Sequence, residues 1–574
     1  MTDDHDPKRP KRGLERGLTN YGDAGFAVYL RRSFAKSMGY SGDMLARPIV
    51  GIAYTPSGFN NCHRHFPELL EAVKRGVIAA GGLPLEFPTV SLGEVFLNPT
   101  SLFYRNLMSM DTEEMIRAQP IDSVVLMGGC DKTVPAQLMG AASADRPAIQ
   151  LVAGPMMTSR YGDERLGACT DCRRFWAKYR AGEVDDGEIQ TIEGGLATTA
   201  GTCAVMGTAS TMACIAEALG MMLPGTAAIP AVHADRLRAA EATGKRAVEL
   251  IGSDLTPSAI ITQASVENAL RVLMALGGST NAIVHLAAIV GRLGINVSLD
   301  RMNELSDTTP VLVNLKPTGE AYMEDFFAAG GLSAVLSELE PELDLDCRTI
   351  TGETLGERIA ADRGAYVDRR VIAAAAEPVE PVGGLVALFG SLAPRGAIMK
   401  RSAADTDLFE KTGRAVVFSS LDDLAARIDD PDLDVTADDF LVLQNAGPKS
   451  PSGMPESGYL PIPAKLARAG VKDMVRLSDA RMSGTAFGTI VLHIAPDAAS
   501  GGPLALVRDG DLIQLSVEKR TLDLLVDEAE LASRRAELDN RPKPQPPSRG
   551  YRKLYFDTVL QADEGCDFEF LKGN

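Results

Sequence analysis

Aromatic side chains make up only 5% of this 574-residue chain, and Trp176 is its single tryptophan. Positive charge is also short: the net charge is −18 and the pI about 5.0. A polyanion would be repelled over most of such a surface, which excludes nucleic acid as the expected partner. A small anionic substrate stays compatible, because local donors and metals outweigh a distant field. No uninterrupted apolar run is long enough to span a bilayer, so no membrane partner is expected. The start, MTDDHDPKRPKRG, is charged and lacks the apolar core of a signal peptide, and the expected location is the cytoplasm. Eight cysteines are too few to staple a chain of this length, so they read as thiols or metal ligands. The six histidines show no HExxH spacing, and no GxSxG elbow surrounds Ser483. The one CxxC, Cys169 to Cys172, has no second pair to make a zinc site and reads as surface cysteine chemistry of no assigned purpose.

What is present is an alternation. The length requires more than one hydrophobic core. IVGIAY (49–54) reads as a buried strand, followed by the polar loop TPSGFNNCHR and a helix starting near Pro67. Phe66, Leu69, Leu70, Val73 and Val77 share one helical face, and Gly81-Gly82 ends it. SVVLM runs into GGCDK, and AIQLV into AGP. Repeated strand, glycine loop and helix predict an α/β domain with a mostly parallel sheet and functional loops at its carboxyl edge. The character changes after Tyr366, and the alanine- and proline-rich 373–384 reads as a junction. The expected division is 1–375 and 376–574, the second part β-rich and barrel-like, built from GLVALFG, RAVVFSS, DFLVLQN, DMVRLSD and TIVLHIA. Asp509-Gly510, flanked by alternating apolar positions, signals a hairpin. The proline-rich tail from Asn540 reads as an extended arm.

Three cysteines share one context. Cys62, Cys130 and Cys203 each lie in a loop just before a helix, where a thiol readily becomes a thiolate ligand or nucleophile. A single free cysteine is more often a small buried hydrophobe; three in such loops point to a metal or cluster site. Asp131 follows Cys130, with Lys132 next, while Glu94 and Glu456 sit in loops of their own. Loop carboxylates of this kind suit magnesium, although each alone is ordinarily a solvated side chain. His65 is placed to line a pocket near Cys62.

Residues alone lead no further than an α/β domain with a cluster site and a β-rich partner. CDKTVPAQLMG and LSDARMSGTAFG, however, resemble the two signatures of the dehydratase family that contains dihydroxy-acid, phosphogluconate and sugar-acid dehydratases. TAGTCAVMGTASTMACIAEALGMMLPG, GGSTNAIVHL, GSLAPRGAIMK and GGPLALVRDGD also resemble family segments, in the expected order from about Pro48 to the tail. The resemblance implies an iron–sulfur cluster held by Cys62, Cys130 and Cys203, and magnesium held by Glu94, Asp131, Glu456 and a carbamylated Lys132. It implies Ser483 as general base, with Thr485 helping to orient substrate. The variant Ser478-Asp479-Ala480-Arg481-Met482-Ser483-Gly484-Thr485 is similar to the sugar-acid branch, which implies a 2Fe-2S rather than a 4Fe-4S cluster. The implied reaction is dehydration of a polyhydroxy acid to a 2-keto-3-deoxy acid, by a homodimer or homotetramer. Two rivals are a dihydroxy-acid dehydratase of branched-chain amino acid synthesis and a non-catalytic iron–sulfur sensor. One departure is His63, where the family usually has asparagine after the first cysteine; it implies altered substrate contacts there.

Overall fold

A computed structural model describes residues 11–18, 22–456, 460–541, 545 and 547–573. Four strands, β1 (Ile49–Tyr54), β2 (Leu83–Pro88), β3 (Ser123–Gly128) and β4 (Ala148–Val152), form an all-parallel sheet in the order β2-β1-β3-β4. β3 and β4 are buried along their whole length, as strands covered on both faces must be. The crossover helix Phe66–Ala79 carries its predicted apolar face into this core. It packs closely on Ala234–Glu249: a Cβ on Gly76 would lie 1.9 Å from Glu241 O, and one on Gly244 2.2 Å from Val73 O. Thr208–Ala218, Gln263–Ala275 and Asn281–Gly291 complete the helical layer.

Because the sheet is parallel, the carboxyl ends of β1, β3 and β4 lie together. The loops that leave them carry Cys62, Cys130 and Ala153-Gly154-Pro155. Cys203 joins this edge from a distant part of the chain, since Thr202 exchanges backbone hydrogen bonds with Gly154 (2.9 Å) and Met156 (2.8 Å). A short antiparallel pair, β5 (Ser159–Tyr161) and β6 (Glu164–Leu166), leads into helix Cys169–Ala181.

The C-terminal half holds an eight-stranded mixed sheet: β7 (Val386–Leu388), β8 (Gly396–Met399), β9 (Glu410–Phe418), β10 (Phe440–Leu443), β11 (Arg476–Ser478), β12 (Ile490–Ala495), β13 (Leu512–Ser516) and β14 (Thr521–Leu524). Its order is β14-β13-β9-β10-β11-β12-β8-β7, and a bridge between Phe389 and Thr521 brings the two edges together into a nearly closed barrel. Period-2 alternation sorts the side chains. Ala415, Val417, Phe440 and Val442 face one apolar cluster, while Val416, Phe418, Leu441 and Leu443 face another that includes Leu424 of helix Leu421–Arg427.

Two local expectations are corrected. The hairpin turn lies at Val517–Arg520, between β13 and β14, whereas Asp509-Gly510 makes the turn that enters β13. The reason is that Asp511 is tied there by Arg508 N–H and the Arg534 guanidinium, which holds the chain before the strand begins. Of the expected arm, residues 542–544 and 546 lie outside those described, and from Gly550 the chain is helical to Thr558. Tyr555 then buries its ring against Phe103, the ring centroids 4.1 Å apart. Among the described residues no helix is long and apolar enough to cross a membrane.

Candidate active site

The parallel sheet's carboxyl edge gathers two chemically different donor sets, and a loop of the barrel lies across them. The first set is sulfur. Cys130 lies within electrostatic reach of Cys62, and Cys203 within that of Cys62 and Asp131. The local cause is the chain's exit from each strand. Thr133 Oγ1 accepts the Gly129 N–H (2.8 Å) and donates to Cys130 O (2.9 Å), fixing the turn that presents Cys130. His63 supports the same turn from below. Its Nε2 accepts the Cys130 N–H (3.1 Å), while Nδ1 donates to Thr55 O (2.8 Å) and the ring stacks on Phe66. Burial brings this imidazole down to about 4, so it stays neutral in that tautomer. His63 therefore braces the Cys130 loop from a fully buried position. His65 is likewise turned inward, its Nε2 donating to Ala153 O at 2.9 Å.

A fourth sulfur belongs to this group. Cys169 Sγ lies 3.3 Å from Cys203 Sγ and also meets Cys172. The reading of the CxxC pair as surface cysteines without a role is thus corrected. Hydrogen bonds from Cys172 and Cys203 hold the Cys169 thiol well below its ordinary range and raise those of its partners.

The second set is oxygen. Carboxylate oxygens of Glu94, Asp131 and Glu456 all lie within 4.8 Å of one another. Glu94 comes from the loop after β2, Asp131 from the loop after β3, and Glu456 from the barrel half. Glu456 is placed by a backbone bridge to Arg481. The Arg481 guanidinium, itself fully buried, reaches Glu94 (3.1 Å) and Glu456 (3.2 Å) and donates to Thr100 Oγ1 (2.7 Å). Ser101 donates to Glu94 as well. Lys132, also fully buried, brings Nζ within 3.2 Å of Glu94 and 3.8 Å of Asp131. That Nζ has no hydrogen-bond partner among the described residues.

Burial, with the neighbouring carboxylate charges added, raises Asp131 to about 6 and Glu456 to about 8. Glu94 is held well below the usual carboxylate range by Lys132 and Arg481 despite its burial. Crowded carboxyls that resist ionising together are what a divalent cation reverses, and hard oxygen donors suit magnesium. Thiolates suit iron and are poor partners for magnesium. Each donor set therefore fits the group that the sequence implies for it.

The barrel's contribution is the segment after β11. Asp479 fixes it by accepting the N–H groups of Ala446 (3.0 Å) and Ala498 (2.8 Å). Ser483 Oγ lies 2.8 Å from Thr485 Oγ1 and also accepts the Thr485 N–H at 3.3 Å. Gly484 passes so close to the first half that a Cβ there would sit 2.5 Å from Ser279 Cβ and 3.1 Å from Thr208 N. Behind it, buried Lys400 directs Nζ to Gly484 O at 3.4 Å, and burial brings its ammonium down to about 7. Asn281 donates to Thr208 Oγ1 (3.1 Å) and to Glu456 (3.5 Å), joining the helical layer to the carboxylates.

Of the sequence-predicted site residues, Glu94, Asp131, Lys132 and Glu456 are brought together from the two halves, and Thr485, paired with Ser483, is tied to Thr170 of the first half. Arg481 and Lys400 were not singled out beforehand, and Cys169 carried no assigned role. Arg481 offered the one usable signal, an arginine two residues before Ser483 in a run destined for burial.

Comparison with known proteins agrees with this geometry. Residues 47–358 match the family described as dihydroxy-acid/6-phosphogluconate dehydratase N-terminal, and residues 370–566 match its C-terminal counterpart. The chain is 48% identical over 553 residues to an L-arabonate dehydratase of Azospirillum brasilense, covering 95% of this chain and 94% of the relative. It is 46% identical over 533 residues to a 6-deoxy-6-sulfo-D-gluconate dehydratase of Pseudomonas putida, covering 92% and 91%. With a dihydroxy-acid dehydratase of Ignicoccus hospitalis the identity is 37% over 557 residues, covering 95% and 99%.

Proposed function

This chain belongs to the dihydroxy-acid/6-phosphogluconate dehydratase family, and from that premise we propose that it is a cytoplasmic hydro-lyase converting a sugar acid to the 2-keto-3-deoxy acid and water. The observation that supports it is convergence: Glu94 and Asp131 of the first half lie against Glu456 of the barrel half, and Thr170 donates to Thr485 O on the loop that carries Ser483. The aldonate substrate is supported by the SDARMSGT run and by the higher identity to sugar-acid dehydratases, 46–48%, than to a dihydroxy-acid dehydratase, 37%.

In this reading Cys62, Cys130 and Cys203 hold a 2Fe-2S cluster, and Glu94, Asp131, Glu456 and Lys132 hold magnesium. A carbamate on Lys132 Nζ would replace a cation by an oxygen ligand, in keeping with a buried nitrogen that has no hydrogen-bond partner among the described residues. When bound, the two groups supply Lewis acidity toward the substrate's carboxylate and hydroxyl oxygens. Ser483 Oγ takes the C2 proton. A serine is a weak base, so the Thr485 hydroxyl and N–H matter: both can donate to Oγ as it carries negative charge. Lys400 steadies the intervening Gly484 carbonyl. The C3 hydroxyl leaves with the proton that Ser483 took, as water, which restores the base and leaves an enol that tautomerises to the keto acid. Division into 1–375 and 376–574, with assembly as a homodimer or homotetramer, belongs to the same reading.

The test is keto-acid formation by anaerobically purified protein on a panel of aldonates beside 2,3-dihydroxyisovalerate. Turnover of one or more aldonates at higher kcat/KM than the branched diol is expected. Preference for the branched diol overturns the substrate class, and an inactive protein that still holds iron favours a sensor.

A further inference from the structure

Resting on the dehydratase reading above, we propose that Lys400 is a positioning residue for the proposed base: acting through the Gly484–Thr485 peptide, its ammonium orients and polarises the N–H on which Ser483 Oγ relies as it becomes negative. One peptide unit carries both contacts. Its carbonyl oxygen, Gly484 O, accepts from Lys400 Nζ at 3.4 Å, and its N–H, on Thr485, donates to Ser483 Oγ at 3.3 Å. The trans amide is planar and conjugated, so a carbonyl and the N–H that follows it point opposite ways. A cation at the oxygen end therefore strengthens the donor at the other end.

The peptide is held where this can work. Residues 483–486 form a tight turn, closed by the Ala486 N–H donating to Ser483 O at 2.9 Å. Gly484–Thr485 is its central peptide, the one whose rotation distinguishes β-turn types. Rotation would carry the N–H away from Ser483. Three contacts keep the turn as it stands: Lys400 on Gly484 O, Thr170 Oγ1 donating to Thr485 O at 3.3 Å, and Ser279 and Thr208 packed against Gly484. Lys400 follows β8, which pairs with β12. The segment after it is fastened to the same loop, the Gly488 N–H donating to Ala403 O at 2.7 Å and the Asp405 N–H to Thr489 Oγ1 at 3.1 Å.

Among the described residues no carboxylate pairs with this buried ammonium, and its one hydrogen bond goes to Gly484 O. The charged groups of the neighbouring segments are engaged elsewhere. Arg401 donates to Gly383 O and Ser306, Asp405 accepts the Asp407 N–H, and Asp473 is shared by Arg476 and Thr489. Burial alone therefore brings Lys400 down to about 7. An unpaired buried cation costs stability, and this one is kept where negative charge develops on the adjoining serine. Its charge is present below its folded value and lost as pH rises through it. Negative charge on Ser483 or on a bound acid favours the ammonium and moves that loss upward.

The experiment compares anaerobically prepared full-length protein with its Lys400→Met and Lys400→Arg variants. Turnover of L-arabonate and of its C2-deuterated form is followed across about pH 6–9.5, with iron content and melting temperature measured alongside. If L-arabonate is not turned over, the best acid of the panel above takes its place. Lys400→Met removes the charge at similar length and leaves one carbonyl without its donor, so iron content and melting should stay near native. At the acid end its kcat should fall by about 10–100-fold, short of the roughly 10²–10³-fold cost of losing a direct oxyanion donor, with KM nearly unchanged. Its deuterium isotope effect on kcat should exceed the native one, because removal of the C2 proton becomes the slower step. Native kcat should decline on the alkaline side as Lys400 loses its charge, and this decline should be absent from Lys400→Met. Lys400→Arg, charged throughout, should recover part of the lost kcat and also lack the decline. Lys400→Met with native kcat, or with lower kcat but native isotope effect and pH profile, overturns the proposal and leaves the dehydratase reading intact. Should Lys400→Met melt well below native, the comparison of native with Lys400→Arg decides: an alkaline decline that the arginine abolishes supports the proposal, and one that it retains overturns it. Native protein that turns over no acid of the panel removes the dehydratase reading itself.

Discussion

The sulfur and oxygen poles of the site are held in opposite ways. The carboxylates have a fixed cation beside them: the buried Arg481 guanidinium spans Glu94 and Glu456. The thiols instead share protons among themselves, and their loops are fixed by backbone and by neutral His63. One pole is built to persist without its cation; the other depends on what it binds.

This contrast can be broken, starting with the largest effect. Cys130→Ser or Cys203→Ser should abolish iron retention and dehydration together, read by iron analysis and keto-acid assay. Ser483→Ala should lower kcat by about 10²–10⁴-fold. Its iron content and melting temperature should match native, because among the described residues the hydroxyl's hydrogen bonds go to Thr485. Arg481→Met should cost about 3–5 kcal/mol of stability, since it strands buried carboxylates. Arg481→Lys should not restore it, because a single ammonium cannot span Glu94, Glu456 and Thr100. Chelation of magnesium should remove activity reversibly while circular dichroism stays unchanged. The stability lost would be about 2.7 kcal/mol if the ion was present at a hundred times its Kd.

The smallest expected effect concerns acid. His493 is buried beside Arg481, and burial brings it down to about 3. Its folded value lies below the unfolded one, so between about pH 3 and 6.5 the unfolded chain binds the extra proton. Stability from this group is complete above that window and falls as pH drops through it. His493→Asn, which tolerates the φ of 58° at this position, should make the fall in melting temperature from pH 6.5 to 4 shallower. An unchanged slope would assign the acid sensitivity elsewhere.

How much was legible in the sequence follows from the range of the forces involved. β1, β3 and β4 were readable because fully buried parallel strands are near-continuous apolar runs bounded by glycine loops. The barrel strands were readable as short runs, but the hairpin turn was displaced because Asp-Gly is only a local signal and Asp511's partners lie far along the chain. Cys130, Asp131 and Lys132 were visible as neighbours in one motif. Cys169 was not: its meaning comes from Cys203, 34 residues away, brought back by the loop after β4. Resemblance supplied the roles, while the position of Arg481 between two carboxylates required the fold.

Residues 565–567 are anchored in the first half of the chain. Arg105 donates to the carbonyls of Gly565 and Cys566, Asn106 to that of Cys566, and Arg292 pairs with Asp567. These arginine and asparagine anchors belong to the helical layer, and helix Ser101–Ala118 begins next to Thr100 and Ser101, which touch Arg481 and Glu94. Two stretches 460 residues apart in sequence thus meet beside the carboxylates, so a cut or substitution at residues 565–567 would be felt at a site that these residues do not themselves touch.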